Sequence, residues 1–223
     1  MLSGERRLTT VYLVRHGTTD FNVYGKFQGS MDVPLNALGL EQARYLGVRF
    51  REVPLDAVYS SPLCRALRTA EGICAHHALS PILCEGLREI DGGLLEGRTG
   101  EENLRRFPLE IAALRDRPSR FAAPQGESAR QVYDRVVAAI TGIVAENPGG
   151  TLAVVAHGFV IQTYISYARR EPFETFRRFI VGNTAVSKLC YERPEEPELL
   201  YCGDDSHLPE QLRFVVATNF LKK

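Results

Sequence analysis

Apolar and polar positions along this chain fall into two rhythms. Compact runs dominated by valine, leucine and alanine predict buried strands, and stretches with apolar residues three and four apart predict helices. The first run covers residues 10–14 and stops abruptly at Arg15-His16-Gly17-Thr18. A second is expected at 55–59 and a short third at 79–83. A fourth, Leu152-Ala153-Val154-Val155-Ala156, again stops at a His-Gly pair, His157-Gly158. Two more strands are expected in the tail, at 185–191 and 212–217. The segment between them holds Pro194, Pro197 and Pro209 and reads as surface loop.

Between these runs the spacing turns helical. Asn36 is placed to cap a helix reaching residue 50, with Leu40, Ala43, Leu46, Gly47 and Phe50 on one face. Ser60-Ser61-Pro62 predicts another helix start, because serine caps well and proline fits the first turn. Its apolar stripe is Leu63, Ala66, Leu67, Ala70, Ile73 and Cys74. The clearest helical pattern runs over 127–146 and ends at Asn147-Pro148-Gly149-Gly150. A further helix is expected at 159–169. Residues 94–125 are less regular and suit two short helices broken at Pro108 and Pro118.

Alternating strands and helices predict an α/β fold: a three-layer sandwich with a mainly parallel sheet and helices on both faces. The tail strands have no helix between them, so an antiparallel edge is expected. The length of 223 residues fits one domain over 1–223, with 94–125 as a helical insertion covering a site. The stretch of about twenty residues after the first strand carries Asn22, Gln28 and Gly29, and loops of that length in compact domains are commonly functional.

Composition narrows the function. Net charge is zero, with 27 basic and 27 acidic residues, which speaks against a nucleic-acid partner. No apolar stretch is long enough to cross a membrane, and the start does not read as a secretory signal. Five widely spaced cysteines form no C-x-x-C pair, so free thiols in a reducing cytoplasm are expected. No H-x-x-x-H or H-E-x-x-H spacing suggests a metal site, and neither G-x-x-x-x-G-K nor G-x-G-x-x-G is present; no cofactor is expected.

The candidate chemistry lies at the two strand ends. Open α/β sheets keep ligands at the carboxyl ends of their strands. Two strands ending in His-Gly suggest two imidazoles, His16 and His157, converging on one pocket. Glycine after each lets backbone come close to a bound group. Arg15 would be costly to bury without an anionic partner, which points to phosphate. Arg65 lies early in the helix after Ser60-Ser61-Pro62, where backbone amides already favour an anion. Arg68, one turn on, suits a solvated helix face as well as a ligand. Glu89 is read at a strand end, either as a proton donor or as a surface carboxylate.

Taken together, these residues resemble the histidine phosphatase superfamily, the phosphoglycerate mutase-like family. The likeness runs from Leu13-Val14-Arg15-His16-Gly17-Thr18 through Asn22, Gln28-Gly29, Asp32, Pro34-Leu35, Gly39 and Gln42-Ala43. It continues through Ser60-Ser61-Pro62-Leu63, Arg65-Ala66, Leu87-Arg88-Glu89, Glu96-Gly97, Gly126-Glu127-Ser128, His157-Gly158 and Asn183-Thr184.

The resemblance implies a phosphoglycerate mutase-like fold and a metal-independent phosphomonoester hydrolase acting on a small phosphorylated metabolite. His16 would be the nucleophile, Glu89 the proton donor. Arg15, Arg65 and His157 would hold phosphate oxygens, with Asn22, Gln28 and Gly29 also at the phosphoryl group. Where many phosphatase members have aromatic residues, this chain has Asp91-Gly92-Gly93-Leu94-Leu95-Glu96-Gly97, and it has no tryptophan. It also lacks the Leu-Asn-Glu-Arg-His-Tyr-Gly motif of the mutase branch. A cofactor-dependent phosphoglycerate mutase, an alpha-ribazole phosphatase-like enzyme and a catalytically dead binding module are the alternatives. Specificity is expected from 94–125 and from the loop after His16.

Overall fold

The computed structural model describes residues 8–213. Its centre is a six-stranded sheet built from β1 (Thr9–Arg15), β2 (Ala57–Ser60), β3 (Ile82–Leu83), β4 (Thr151–Ala156), β5 (Val186–Tyr191) and β6 (Pro197–Asp204). The order across the sheet is β3-β2-β4-β1-β5-β6. The pairs β2–β3, β2–β4 and β1–β4 are parallel, and β1–β5 and β5–β6 are antiparallel. This is the mainly parallel sheet with an antiparallel edge that the alternation of elements implies. The edge is formed differently from expectation. β6 lies inside the proline-bearing segment read as loop, because as an edge strand it has no fully buried position to give an apolar run, and Pro197 falls at the strand's first residue, where no ladder bond is lost. Of the strand expected at 212–217, Leu212 lies in a 3-10 turn and 214–217 fall outside the described residues.

Each face of the sheet is covered because its strands are apolar on both sides. Along β4, Ala153 and Val155 face α2 (Ala37–Phe50) and α3 (Cys64–Cys74), packing on Leu46, Phe50, Ala66 and Ile73. Leu152 and Val154 face the opposite way, onto α6 (Ala129–Glu146) and α7 (Gly158–Ala168), among Val136, Ile140, Ile161 and Tyr164. Each such aliphatic side chain, fully buried, stabilises the fold by about 1.5–3 kcal/mol before entropy is counted.

Local signals explain most helix ends. Asn36 caps α2 through its side chain, and Ser128 caps α6 in a capping box with Gln131. Leu40 is exposed rather than part of the α2 stripe. At α3 the serines do not cap: Leu63 holds the N-cap position without a side-chain bond, since the Ser61 hydroxyl is engaged elsewhere. Residues 94–125 contain α4 (Gly100–Arg106) and α5 (Pro108–Asp116), with Pro108 opening the second, plus a 3-10 turn at Pro118–Arg120. The loop after β1 contains one short helix, α1 (Asp20–Val23), capped by Thr19.

Candidate active site

β1 and β4 run side by side with Arg15 opposite Ala156, so the next residue on each strand is a histidine. The His16 N–H continues the ladder to the Ala156 carbonyl at 3.0 Å. The two rings therefore stand with centroids 5.2 Å apart. His16 is almost wholly buried, and its Nδ1 lies 2.7 Å from the Gly17 carbonyl. A carbonyl only accepts, so Nδ1 carries the hydrogen and Nε2 presents its lone pair. Burial first, then the charges of Arg65 and Arg15, push the imidazole pKa well below 6.5. His16 is thus neutral near pH 7.

His157 is fully buried and stands behind His16 rather than on the cavity surface. Its Nε2 lies 2.7 Å from the Ser61 hydroxyl, which accepts from the Leu63 N–H at 3.3 Å. With the hydroxyl hydrogen donated to Nε2, the ring hydrogen sits on Nδ1, a buried atom with no partner among the described residues. Burial and the charges of Arg65, His16 and Arg15 hold its pKa well below 6.5.

Two guanidinium groups flank His16. Arg65, in the first turn of α3, is fully buried and donates to the carbonyls of Met31 (2.7 Å) and Gly29 (2.8 Å). Gly29 adopts φ +52°, in the left-handed region that favours glycine, and a Cβ there would displace the Glu96 side chain, whose Oε1 would lie 2.0 Å away. Arg15 donates to the Val181 carbonyl at 2.7 Å. Its pKa is lowered to about 10, by burial above all, with Glu89 opposing and Arg65 adding. Nε of each arginine is buried without a partner, and neither binds a carboxylate among the described residues. Two buried cations that share one nearby carboxylate, Glu89, and contact none are costly, and an oxyanion between them removes most of that cost.

Thr19 organises the polar rim. Its hydroxyl donates to Gln28 Oε1 at 2.9 Å, with Asn22 Oδ1 at 3.2 Å. Asn22 Oδ1 also accepts from the Thr19 N–H and from Asn183 Nδ2, so its carbonyl end is committed to the fold. Glu89 follows a 3-10 turn rather than a strand. Its Oε1 accepts from the Ile90 N–H (3.0 Å) and its Oε2 from the Phe159 N–H (3.1 Å), which fixes the carboxylate plane.

Arg15, His16, Asn22, Gln28, Arg65 and Glu89 open onto one cavity of about 240 Å³. Its walls are apolar, from Phe21, Phe27, Phe159, Phe176 and Ile180, and Arg177 adds a charge. Residues 94–125 contribute Leu114 to this wall, whereas 176–181 contribute more of it, a segment that carries no sequence signal of a site. A Cβ on Gly17 would meet the Gly39 carbonyl oxygen at 2.7 Å, so this glycine lets the end of β1 pack closely on α2.

Other candidates fall away. Arg68 is exposed and paired with Glu71. His76 is exposed, His77 reaches the Phe50 carbonyl, and His207 lies against Arg49. The residues that sequence reasoning missed are Thr19, Ser61 and the Arg135–Glu127 pair, all supporting rather than facing the cavity. Ser61 carries the one usable signal: a serine in a cap-like position whose helix starts three residues later.

Comparison with known proteins places the chain in a family. A model of the histidine phosphatase superfamily (branch 1) matches residues 11–205. The "Uncharacterized phosphatase PhoE" of Bacillus subtilis is 35% identical over 159 residues, 71% of this chain and 77% of that protein. The "Probable phosphoglycerate mutase GpmB" of Proteus mirabilis is 32% identical over 212 residues, 90% of this chain and 95% of that protein. Phosphoserine phosphatase of Entamoeba histolytica, solved in complex with 3-phosphoglyceric acid, superposes with a TM-score of 0.81 at 28% identity, covering 90% of this chain and 100% of that one.

Proposed function

The chain belongs to the histidine phosphatase superfamily, and from that premise we propose that it hydrolyses small phosphomonoesters through a phosphohistidine on His16. The observation that carries this reading is the free Nε2 of a neutral His16 beside two buried guanidinium groups without carboxylate partners. Phosphoryl transfer asks a protein mainly for positioning and for charge around the equatorial oxygens. Arg15 and Arg65 supply that charge, the latter aimed by Gly29. Asn22 and Gln28 complete the donor set on the cavity surface, and His157 supports His16 from one layer behind.

In the first step the His16 Nε2 lone pair forms the N–P bond while the ester P–O bond breaks. Glu89, which enters this step protonated, gives its proton to the leaving oxygen and is left as the carboxylate. In the second step water attacks phosphorus, Glu89 takes its proton, the N–P bond breaks and the electron pair returns to His16. Splitting one displacement into two lowers each barrier, and no metal is required for either.

The likeness to a protein named as a phosphoglycerate mutase keeps a mutase in view as the second reading. There the phosphohistidine passes its phosphoryl group to a phosphoglycerate instead of water. A coupled mutase assay with and without bisphosphoglycerate separates the two; mutase turnover far above hydrolysis reverses their order.

The direct test of the main reading is a denaturing quench during turnover of a labelled ester in the presence of chelator. Acid-labile, alkali-stable label on the peptide containing His16 is the expected result. Turnover with label on another residue, or with none on His16 under burst conditions, overturns it.

A further inference from the structure

Arg177 is a half-buried cation on the cavity wall that no carboxylate neutralises among the described residues. Arg115, whose charge acts on Arg177, is by contrast paired with Asp116. Arg177 follows Phe176, which is buried against Phe159 (ring centroids 5.0 Å) and stacked on Phe173 (5.0 Å, 12°), so the backbone that carries it is anchored. Phe159 in turn donates its N–H to Glu89, which links this wall to the reacting end. Burial lowers the pKa of Arg177, and the charge of Arg115 lowers it further; its electrostatic neighbour is Arg115 rather than Arg15 or Arg65.

The charges on the cavity surface do not balance. Arg15, Lys26, Arg65 and Arg177 face a single carboxylate, Glu89. A phosphomonoester dianion held by Arg15 and Arg65 leaves Lys26, which lies over the Phe21 ring, and Arg177 unanswered. Phe21, Phe27, Phe159, Phe176 and Ile180 make the rest of the wall apolar.

We propose that Arg177 forms a second anion subsite, so that preferred substrates are phosphomonoesters whose leaving alcohol has an apolar body ending in an acidic group. This rests on the phosphomonoesterase reading above. A carboxylate and a second phosphate share the required chemistry, and guanidinium binds either through paired N–H donors.

The test uses aryl phosphates that differ only at the far end: 4-carboxyphenyl, 4-carbamoylphenyl and 4-phosphonophenyl phosphate. In the wild-type protein, kcat/KM for the better acid exceeds that for the amide at least tenfold, about 1.4 kcal/mol. The preferred acid identifies the class. Arg177→Gln brings the acid-to-amide ratio within about twofold of one, and Arg177→Lys keeps part of the preference. Loss of folded protein lowers all three esters together and leaves the ratio unmoved. A wild-type ratio near one, or a ratio unchanged by Arg177→Gln, overturns the subsite while hydrolysis of the amide ester leaves the phosphatase reading standing. If no ester is turned over in a His16-dependent way, the subsite falls together with that reading.

Discussion

His16 and His157 stand side by side because the strands that carry them are paired in register, Arg15 opposite Ala156, with the two rings 5.2 Å apart. The parallel ladder itself builds the histidine pair, and no loop has to fold back to bring it together. The proposed nucleophile is therefore held by main-chain bonds that its side chain does not make. His16→Ala is expected to lower kcat by at least about 10⁴-fold, the scale on which nucleophile removal acts when the remaining site is intact. The fold and phosphate binding should persist, because the His16 N–H to Ala156 bond remains. Turnover within tenfold of wild type removes His16 from its role.

Ser61 sets which nitrogen of His157 carries the hydrogen, through the 2.7 Å contact to Nε2 and the Leu63 N–H it accepts. Ser61→Ala frees Nε2 to take the hydrogen and removes the donor from Nδ1. Supporting contacts of this kind are worth about 10–100-fold, so kcat should fall by that much. The decisive readout is ¹⁵N NMR of His157: Nδ1–H in the wild type and a mixed or Nε2–H ring in Ser61→Ala, with Ser61→Thr restoring the first pattern. An unchanged tautomer in Ser61→Ala contradicts the assignment.

Glu89 is held by two backbone N–H groups and faces the cavity. As proton donor to the leaving oxygen it matters most where that oxygen is a poor leaving group. Glu89→Gln should slow alkyl phosphates by roughly 10²–10⁴-fold, the span of general acid catalysis, and nitrophenyl phosphate far less. Equal slowing of both ester types argues for a purely structural carboxylate.

Much of this molecule was legible in the sequence, for physical reasons that differ by element. β1 and β4 are buried on both faces, and so read as unbroken apolar runs; both His-Gly ends follow from them. α2 and α6 announce themselves by Asn36 and Ser128 at their caps. β6 was hidden because an edge strand needs few apolar residues and tolerates Pro197. The cavity wall at 176–181 was hidden because a 3-10 turn has no long period to detect, and Arg177 shows as part of the site only once it is seen on the cavity wall. His157 reads from sequence as a phosphate ligand, yet it stands one layer back from the surface.

Histidines kept neutral by burial tie stability to pH. His207 is held at about 4, by burial first and then by Arg49. In the unfolded chain it titrates near 6.5. Above that pH neither state is charged and nothing is lost. As pH falls from 6.5 toward 4, the unfolded chain binds a proton that the folded chain refuses. Stability then drops by up to about 1.4 kcal/mol per pH unit. Urea midpoints between pH 7.5 and 4.5 should therefore fall less steeply for His207→Gln than for the wild type. Identical slopes refute the buried-neutral assignment of this residue.

Arg135 closes the account of how Glu89 is held. Its Nε and Nη2 bind the two oxygens of Glu127 at 2.9 and 2.8 Å, Nη1 binds the carbonyls of Gly86 (3.1 Å) and Arg88 (2.7 Å), and Nη2 also binds the Glu89 carbonyl at 3.1 Å. All five N–H donors of the guanidinium are in use, in a planar fork that an ammonium group cannot copy. Glu127 in turn accepts from the Asp91 N–H, so the chain on both sides of Glu89 is tied to one ion pair. The pair is about three-quarters buried. Arg135→Lys keeps the charge and loses the fork; it should cost roughly 2–3 kcal/mol of stability, as breaking several charge-assisted hydrogen bonds does. Because Arg135 acts through Glu89, kcat for alkyl phosphates should fall while KM stays nearly unchanged. In an Arg135→Lys, Glu89→Gln double variant the two kcat losses should fail to add. Additive losses would show that Arg135 serves the fold alone.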